Sequence, residues 1–374
     1  MKQQSQPQPY SPENRPMYSS SDIINLRELL KALWDGKLLI ILVVALFTAS
    51  SVVLALLSQE WWSSNAKITK AQPYEVAAYQ QQVKQFQPVF DVYQDDGTVL
   101  VSKDLDRLVD SDILFQRFVN AFNSTNNKRS FLENSAEFQE SQSSMLSTSS
   151  DTEVGDSRVM YSAWFNKISA SKVDKTDGNS PYVISFQTTT KESSFNLLTA
   201  YILATESKVH QDAFNNLSAV VSGKRNELIQ QKRILESQAS NQLLVETERA
   251  KYASKIAKSA GVDRPIQTGN EKELFSIDLG AKGLDAKIKA LESVKNLSVI
   301  EPRLQQINAK LDMLDQLEVD RTVEFQTFRY IENVEQPINR DKPKRSLIVV
   351  LGTLLGGVLG VVIVLIRFAF RKED

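Results

Sequence analysis

The chain has 374 residues, which is enough for two or three ordinary domains or for one elongated domain. It contains no cysteine, and this excludes disulfides, thiolate metal sites and cysteine nucleophiles. The formal net charge is -1 and no basic tract is long enough to follow a nucleic-acid backbone, so no nucleic-acid partner is expected.

Two segments precede the first long apolar run. Residues 1–21 are rich in Gln, Pro and Ser, have little to bury, and predict a disordered cytoplasmic tail. In residues 22–37 the apolar side chains recur at helical spacing, which predicts a helix with one apolar face. Such a helix can lie on a membrane surface, with Trp34 and Lys37 at the level of the headgroups.

Two uncharged apolar runs, residues 38–57 and 347–366, stand near the ends of the chain. A helix of about twenty residues spans about 30 Å, the thickness of the hydrocarbon core of a bilayer. A buried core helix is the alternative, but such helices seldom stay uncharged over that length. Both runs are therefore predicted to be transmembrane helices. Trp61 and Trp62 are predicted to mark the far interface of the first span.

Two spans place both termini on the same side of a membrane. More basic residues stand before the first span than directly after it, which favours a cytoplasmic N-terminus. The second span has basic residues on both flanks and gives no preference. We therefore expect a bacterial inner-membrane protein with residues 58–346 in the periplasm and a short cytoplasmic tail at residues 367–374.

The segment between the spans is predicted to form an α/β base from residues 58–191 and 318–346. Its strands are predicted where β-branched and aromatic residues are frequent, and a mobile loop is predicted where Ser, Glu and Gln dominate. The predicted elements are strands at residues 63–72, 182–190 and 322–334, helices at residues 74–86 and 112–122, and the loop at residues 134–156.

The middle of the chain, residues 192–317, predicts a very long helix and a helical return. Residues 192–260 contain no proline and a single glycine, Gly223, so one helix about 100 Å long is expected. Its apolar seam needs partners, either the predicted helices at residues 285–297 and 303–317 or a neighbouring subunit. The predicted fold is an α+β membrane protein, in which two transmembrane helices flank a periplasmic α/β base with a long protruding helix and a returning hairpin.

Motifs for catalysis are absent from the sequence. There is no Walker-type phosphate loop and no G-x-S-x-G motif. His210 is the single histidine, and we interpret it as a structural residue of the long helix. The carboxylates are scattered as in any helix surface. We expect no enzyme, no catalytic residue, no metal and no cofactor.

The second apolar run contains two overlapping G-x-x-x-G units, formed by Gly352, Gly356 and Gly360, with Gly357 adjacent. Small residues let helices approach closely in lipid, so a packing face is predicted here. The small residues of the first run that could pack against these glycines are Ala45 with Ala49, and Ser51 with Ala55. The alternative is that glycine is simply common in transmembrane helices.

Four basic residues lie midway along the long helix: Lys224, Arg225, Lys232 and Arg233. One interpretation is contact with a hydroxyl-rich or acidic glycan, or with an acidic face of a neighbouring subunit. The other, which we favour, is a solvated helix surface.

Several of these segments together resemble the Wzz chain-length determinants, the polysaccharide co-polymerases. The spacing of Asp22, Leu26, Leu33, Trp34 and Lys37 resembles their entry segment. The resemblance continues in Trp62–Ile68 and in Phe275–Gly280. A proline/glycine motif at the second span is matched by Pro337, Pro343, Lys344, Gly356 and Gly360, whereas Val334 and Lys342 depart from it.

The resemblance implies a ring of identical subunits that sets the modal length of lipopolysaccharide O-antigen made by the Wzx/Wzy-dependent route. It implies inner-membrane lipid, the Wzy polymerase and undecaprenyl-linked O-antigen polysaccharide as partners. The size of the central domain resembles the members that give very long O-antigen chains.

Two other classes of function remain to be weighed. One is a two-span periplasmic sensor, or a glycan-binding adaptor without length control. A sensor would need a cytoplasmic output domain, and the short predicted tail at residues 367–374 is too small to be one. The other is an enzyme acting on glycans, which would need the catalytic motifs that the sequence lacks.

Overall fold

A computed structural model describes residues 26–94, 96–146, 153–266 and 274–373. The predicted tail at residues 1–21 and the first residues of the predicted surface helix lie outside the described residues. The chain divides into two compact units. The terminal unit comprises Met1–Trp62 and Ile338–Asp374, and the central unit comprises Ser63–Pro337.

Helices dominate both units. In chain order the helices are α1 Leu26–Asp35, α2 Lys37–Leu57, α3 Ala77–Lys84, α4 Gln87–Phe90, α5 Asp106–Val109, α6 Ser111–Asn123, α7 Thr125–Glu133, α8 Ala136–Leu146, α9 Glu153–Phe165, α10 Lys191–Ser259, α11 Gly280–Glu292, α12 Arg303–Gln316 and α13 Arg345–Glu373. The strands are β1 Trp62–Lys70, β2 Val92–Tyr93, β3 Val99–Leu100, β4 Ile168–Lys172, β5 Tyr182–Thr188 and β6 Phe328–Glu332.

In the terminal unit, two helices are long and apolar enough to cross a membrane, over Lys37–Leu57 and Arg345–Phe370. They contain the runs that the sequence predicts, residues 38–57 and 347–366. Most of their apolar side chains are exposed on the protein surface, as they are in helices whose solvent is lipid. Helix α1, Leu26–Asp35, precedes the first candidate span and lies within the segment in which the sequence predicts a helix.

The central unit contains a four-stranded sheet in the order β4-β5-β1-β6. Strands β4 and β5 are antiparallel, with Ile168 opposite Phe186, and β1 and β6 are antiparallel, with Ile68 opposite Tyr330. The predicted first and second strands are confirmed within two residues at their ends, but the last is shorter than predicted. Strand β4 was missed, because its sequence ISASK contains a single large apolar residue.

The sheet packs against α6 and the first turns of α10 in an aromatic core. Alternate residues of β5, among them Ile184 and Phe186, are buried, and Leu198, Tyr201 and Ile202 of α10 cover them. Leu198 and Ile202 are four residues apart, so they lie on one face of α10. The Tyr201 hydroxyl donates to the carbonyl of Phe122 at 2.7 Å, so the polar tip of this buried ring is satisfied.

The prediction of a mobile loop at residues 134–156 is wrong where the structure describes the segment. Helix α8 occupies Ala136–Leu146 and α9 begins at Glu153, while residues 147–152 lie outside the described residues. The reason is Phe138, which is 1% exposed and lies 5.7 Å from the ring of Trp164. Phe138 therefore anchors a helix in which most of the other residues are small or polar.

Helix α10 is the longest element, with 69 residues and a length of about 100 Å. It begins at Lys191, where the Thr190 hydroxyl accepts a hydrogen bond from Ser193 N at 3.1 Å, and it is followed by Gly261 with φ +70. An N-cap and a left-handed glycine are the usual ends of a helix. The predicted bounds, residues 192–260, differ from these by one residue at each end.

The return that the sequence predicts is present. Helix α12 packs on the middle of α10, where Leu228, Leu304 and Ile307 are buried together. Helix α11 packs on the far end of α10 through Ala253, Ala257, Ala281 and Leu284. It begins earlier than predicted, at Gly280 with φ +66, where a Cβ atom would lie 2.6 Å from the backbone of Arg264.

Candidate functional site

The two candidate spans pack against each other along a row of glycines in α13. A Cβ atom on these glycines would lie 2.6 Å from Ser51 Oγ at Gly352, 2.8 Å from Phe47 Cβ at Gly356 and 3.2 Å from Ile40 Cα at Gly360. No side chain fits at Gly356 without moving the two helices apart. The glycines therefore allow the close backbone approach on which helix association in lipid depends.

The face of α2 that meets these glycines is only partly the predicted one. Ser51 and Ala55 are buried, as the prediction requires, whereas Ala45 and Ala49 are exposed. The glycines of α13 instead meet Ile40, Val44, Phe47 and Ser51 of α2, whose spacings of four, three and four form one seam. Gly357 has nothing within 4 Å and faces away from α2.

Two threonines lie in the middle of the helix pair. Thr48 Oγ1 and Thr353 Oγ1 are 3.0 Å apart. Each hydroxyl is also 2.8 Å from a carbonyl of its own helix, that of Val44 or of Val349. Since a hydroxyl has one proton, one threonine donates across the pair while the other donates to its own backbone. The contact links the two spans without leaving an unsatisfied donor.

A cluster of charged residues closes one end of the helix pair, and we call it the arginine–glutamate cluster: Glu60, Arg340 and Arg345. Both arginines donate to Glu60 Oε1 at 2.8 Å. Arg345 Nε also donates to the carbonyl of Ala55 at 3.0 Å, in the last turn of α2. A cation at the C-terminal end of a helix satisfies a free carbonyl and complements the helix dipole.

The backbone beside this cluster also joins the two chain segments. Trp61 N donates to the carbonyl of Lys342 at 3.0 Å, and Asp341 N donates to the carbonyl of Trp61 at 2.8 Å. Pro343 follows a cis peptide bond, and Lys344 is exposed just before α13. Pro337 is half-buried and is the last residue of the central unit.

The aromatic residues predicted at the interfaces differ in exposure. Trp34 is 72% exposed, and the ammonium of Lys37 lies 5.0 Å from the centroid of its ring. Trp61 and Trp62 are half-buried at the start of β1. An exposed indole with a neighbouring cation at the end of an apolar helix is typical of residues at a membrane interface.

Three of the four predicted basic residues of α10 form ion pairs with carboxylates. Lys224 pairs with Glu227 at 3.0 Å and Lys232 with Glu236 at 3.9 Å. Arg225 pairs with Asp315 and donates to the carbonyl of Leu314 at 2.8 Å, which ties α10 to the end of α12. No ion pair of Arg233 occurs within the described part of the chain.

The arginine–glutamate cluster was not predicted as a unit. Its signal is present in the sequence, since an acidic residue follows the first span and two arginines precede the second. When two spans run antiparallel, those two flanks meet at the same end. Among the described residues, no group of three or more His, Cys, Asp or Glu side chains could hold a metal ion.

Residues 22–111 match a protein-family model described as the chain length determinant protein, Wzz. This part of the chain is therefore similar to the Wzz chain length determinant family. A second model, "G-rich domain on putative tyrosine kinase" (GNVR), matches residues 303–369, which include α13 with its glycines. The match at residues 22–111 confirms the resemblance that the entry segment and the first strand predict.

Curated relatives extend the similarity over almost the whole chain. The ferric enterobactin transport protein FepE of Escherichia coli K12 is 26% identical over 370 residues, covering 95% of this chain and 92% of the relative. A chain length determinant protein of Shigella dysenteriae is 26% identical over 353 residues, covering 94% of each chain. Alignments of that extent include the central unit and at least part of each apolar run of this chain.

Solved structures show the same fold. A full-length bacterial polysaccharide co-polymerase superposes with a TM-score of 0.60 at 24% identity, covering 94% of this chain and 99% of that chain. A mutant of the Shigella flexneri O-antigen chain-length regulator has a TM-score of 0.50 at 20% identity and covers 75% of this chain. The predicted fold class is confirmed.

Proposed function

We propose that this chain is a non-catalytic regulator that sets the modal chain length of lipopolysaccharide O-antigen, acting as an oligomeric scaffold with the Wzy polymerase on undecaprenyl-linked glycan. The observation that carries the proposal is the Wzz match at residues 22–111, in a chain that aligns along 94% of its length with a chain length determinant protein. The alignment covers nearly the whole of both chains, which supports a comparable organisation of their segments.

The proposed location is the inner membrane, with both termini in the cytoplasm and the central unit in the periplasm. Helices α2 and α13 would cross the bilayer as a pair held by the glycine seam. The arginine–glutamate cluster would lie at the periplasmic interface, because Glu60 and Arg345 stand on the side of the spans from which the chain continues into the central unit. Charged groups tolerate that position and avoid the hydrocarbon core.

A second copy of the chain is the proposed partner of α10. Val245, Tyr252 and Ile256 are spaced by seven and four residues, so they lie on one face of the helix, and each is at least 45% exposed. Helix α11 packs on a different face, through Ala253 and Ala257. An apolar stripe on a helix about 100 Å long indicates a neighbouring protein surface, and a ring of identical subunits would supply it.

The banding profile of lipopolysaccharide from a strain without this gene tests the proposal. The strain is complemented with the wild-type gene or with an empty vector, and a strain without the polymerase serves as control. We expect polymer of random length with the empty vector and a modal distribution with the wild type. Complete loss of polymer on deletion, or an unchanged mode, would contradict length control.

The same strains separate the alternative functions. The name of FepE raises ferric enterobactin as a candidate ligand, and growth with ferric enterobactin as the iron source should be equal with and without the gene. A sensor or a glycan-binding adaptor without length control would leave the modal distribution unchanged. A glycan-modifying enzyme would change the composition of the repeat unit, which sugar analysis of the polymer would detect.

A further inference from the structure

A groove in the central unit runs beside the middle of α10 and includes Lys224 in its lining. It lies between α10, α12 and the hairpin of β2 and β3, and its volume is about 700 Å³. Its floor is formed by Leu228, Leu235 and Ile307, which are buried by contacts within the chain. From Lys224 to Gln238 the groove follows α10 for about 21 Å, which is long enough for several sugar rings in a row.

The walls of the groove are rich in side-chain amides. Gln94, Gln231, Gln238 and Gln306 line it, contributed by the hairpin and by both helices. Gln231 donates to Glu227 at 2.9 Å, whereas the amides of Gln238 and Gln306 make no hydrogen bond with any residue in the described ranges. An amide presents donors and an acceptor in one plane, which matches the neighbouring hydroxyls of a sugar ring.

An aromatic ring stands at the mouth of the groove. Tyr93 of β2 is 43% exposed, and the ammonium of Lys310 lies 5.6 Å from the centroid of its ring. Val92 and Ile234 add exposed apolar surface on either side. The face of an aromatic ring packs well against the C–H face of a pyranose, while the surrounding polar groups fix its orientation.

Two of the three cations that line the groove are paired with carboxylates. Lys224 pairs with Glu227 at 3.0 Å, and Arg303 pairs with Glu301 at 2.7 Å. Lys310 donates to the carbonyl of Asp91 at 2.5 Å, and burial together with the nearby charge of Lys224 lowers its pKa. Only Lys310 has no ion pair among the described residues, so the groove has a small positive excess and not the dense positive charge that attracts polyanions. It fits an uncharged or weakly acidic, hydroxyl-rich chain.

From this combination we propose that the groove between α10, α12 and the β2–β3 hairpin binds an oligosaccharide segment of the growing polymer. Tyr93 would stack on a sugar ring, and Gln231, Gln238 and Gln306 would hydrogen-bond to its hydroxyls. The inference rests on the proposed function, since it takes the polymer whose length is regulated as the ligand. It adds that the regulator contacts this polymer directly.

Binding by the full-length protein in nanodiscs tests the proposal. The probe is the O-polysaccharide released by mild acid from the strain's own lipopolysaccharide, end-labelled and followed by fluorescence anisotropy. The groove variants are Tyr93→Ala and the double variant Gln231→Ala/Gln306→Ala. The matched control is Gln230→Ala/Gln305→Ala, which removes two exposed amides on the same helices that do not line the groove.

We expect saturable binding by the wild type, unchanged binding by the control, and a dissociation constant at least about 10-fold higher in both groove variants. No binding by the wild type, or equal affinity in all variants, would overturn the groove as a glycan site. A smaller particle mass in the groove variants, with glycan binding unchanged, would assign the groove to a second copy and would also overturn it.

The banding profile distinguishes failure of this inference from failure of the proposed function. If the wild-type gene restores a modal length and the groove variants restore the same length, the proposed function stands and the groove proposal falls. If the wild-type gene restores no mode, the proposed function itself falls. A shifted or broadened mode in the groove variants alone, at equal protein level, supports both.

Discussion

Two adjacent glycines in the second candidate span have opposite surroundings. A Cβ atom at Gly356 would lie 2.8 Å from Phe47 Cβ, whereas one at Gly357 would meet nothing within 4 Å. Gly356→Leu should therefore separate the helix pair, while Gly357→Leu should leave it intact. We expect a lower melting temperature of the detergent-solubilised protein and a changed O-antigen banding profile for the first variant only. Equal behaviour of the two variants would contradict the packing described.

His210 shows how burial changes the chemistry of a single residue. Its ring lies 4.3 Å from the ring of Phe325, and burial lowers its pKa below the ordinary value of 6.5. The folded protein thus holds a neutral imidazole, and the unfolded chain binds the proton first as the pH falls. Stability should therefore be lost as the pH drops through about 6.5, towards the lower pKa of the folded state.

The variant His210→Gln tests this account because it cannot titrate. The free energy of unfolding is measured between about pH 8 and about pH 5 for both proteins. The wild type should lose more stability on acidification than the variant. Glu206, one turn away, has a pKa raised by burial and acts in the opposite direction, but it is common to both proteins. A pH dependence that is equal in the two would show that His210 does not contribute.

The burial of Lys128 could not be predicted from the sequence. Its side chain is buried, donates to the carbonyls of Phe165 and Ile168 at 3.1 and 2.7 Å, and has a pKa lowered by burial. A lysine among polar residues predicts an exposed side chain. Lys128 is buried because α7 lies next to Phe165 and Ile168, whose carbonyls accept its hydrogen bonds. Those residues are about forty positions away in the sequence, so local patterns do not reveal the contact.

At the scale of elements, the arginine–glutamate cluster should stabilise the end of the helix pair. Glu60→Gln leaves two half-buried guanidinium groups without their shared carboxylate. Because these groups are partly exposed, we expect a loss of about 1 to 2 kcal/mol in the free energy of unfolding. Glu335→Gln, at an exposed residue for which no ion pair occurs in the described part of the chain, should cost nothing measurable. Equal effects would show that the cluster does not hold the spans.

The connection between α10 and α12 provides a second test. Arg225 pairs with Asp315 and reaches the carbonyl of Leu314, whereas Arg233 has no ion pair in the part of the chain that the structure describes. Arg225→Met should lower the free energy of unfolding by about 1 kcal/mol, and Arg233→Met should leave it unchanged. The difference in urea midpoint between the two variants measures this. Equal midpoints would show that Arg225 is only a solvated residue.

Elements with local signals were predicted well. Helix α10 contains no proline, follows a capping threonine and precedes a glycine. These local signals predict where the helix begins and ends. Helix α8 has no comparable signal. Phe138 is buried against Tyr161 and Trp164 of another helix, and no pattern within α8 itself reveals those partners.

For the whole molecule, the two apolar runs and the long helix were sufficient to predict the fold class. The order of strands was not predictable, since β1 lies between β5 and β6, which are separated from it by more than a hundred residues. Pairings at that separation are selected by the whole core. Of the candidate site, the glycines were predicted from their spacing, whereas the partner face of α2 and the groove depend on tertiary contacts.

The scaffold that we propose requires copies of the chain to stand side by side, with the stripe of Val245, Tyr252 and Ile256 covered by a neighbour. The most direct test is the mass of the full-length protein extracted in mild detergent, measured by light scattering with the detergent subtracted. The account predicts a particle of several 42.1 kDa chains, and a smaller one for Val245→Lys/Tyr252→Lys. A folded wild-type particle with the mass of one chain would contradict it.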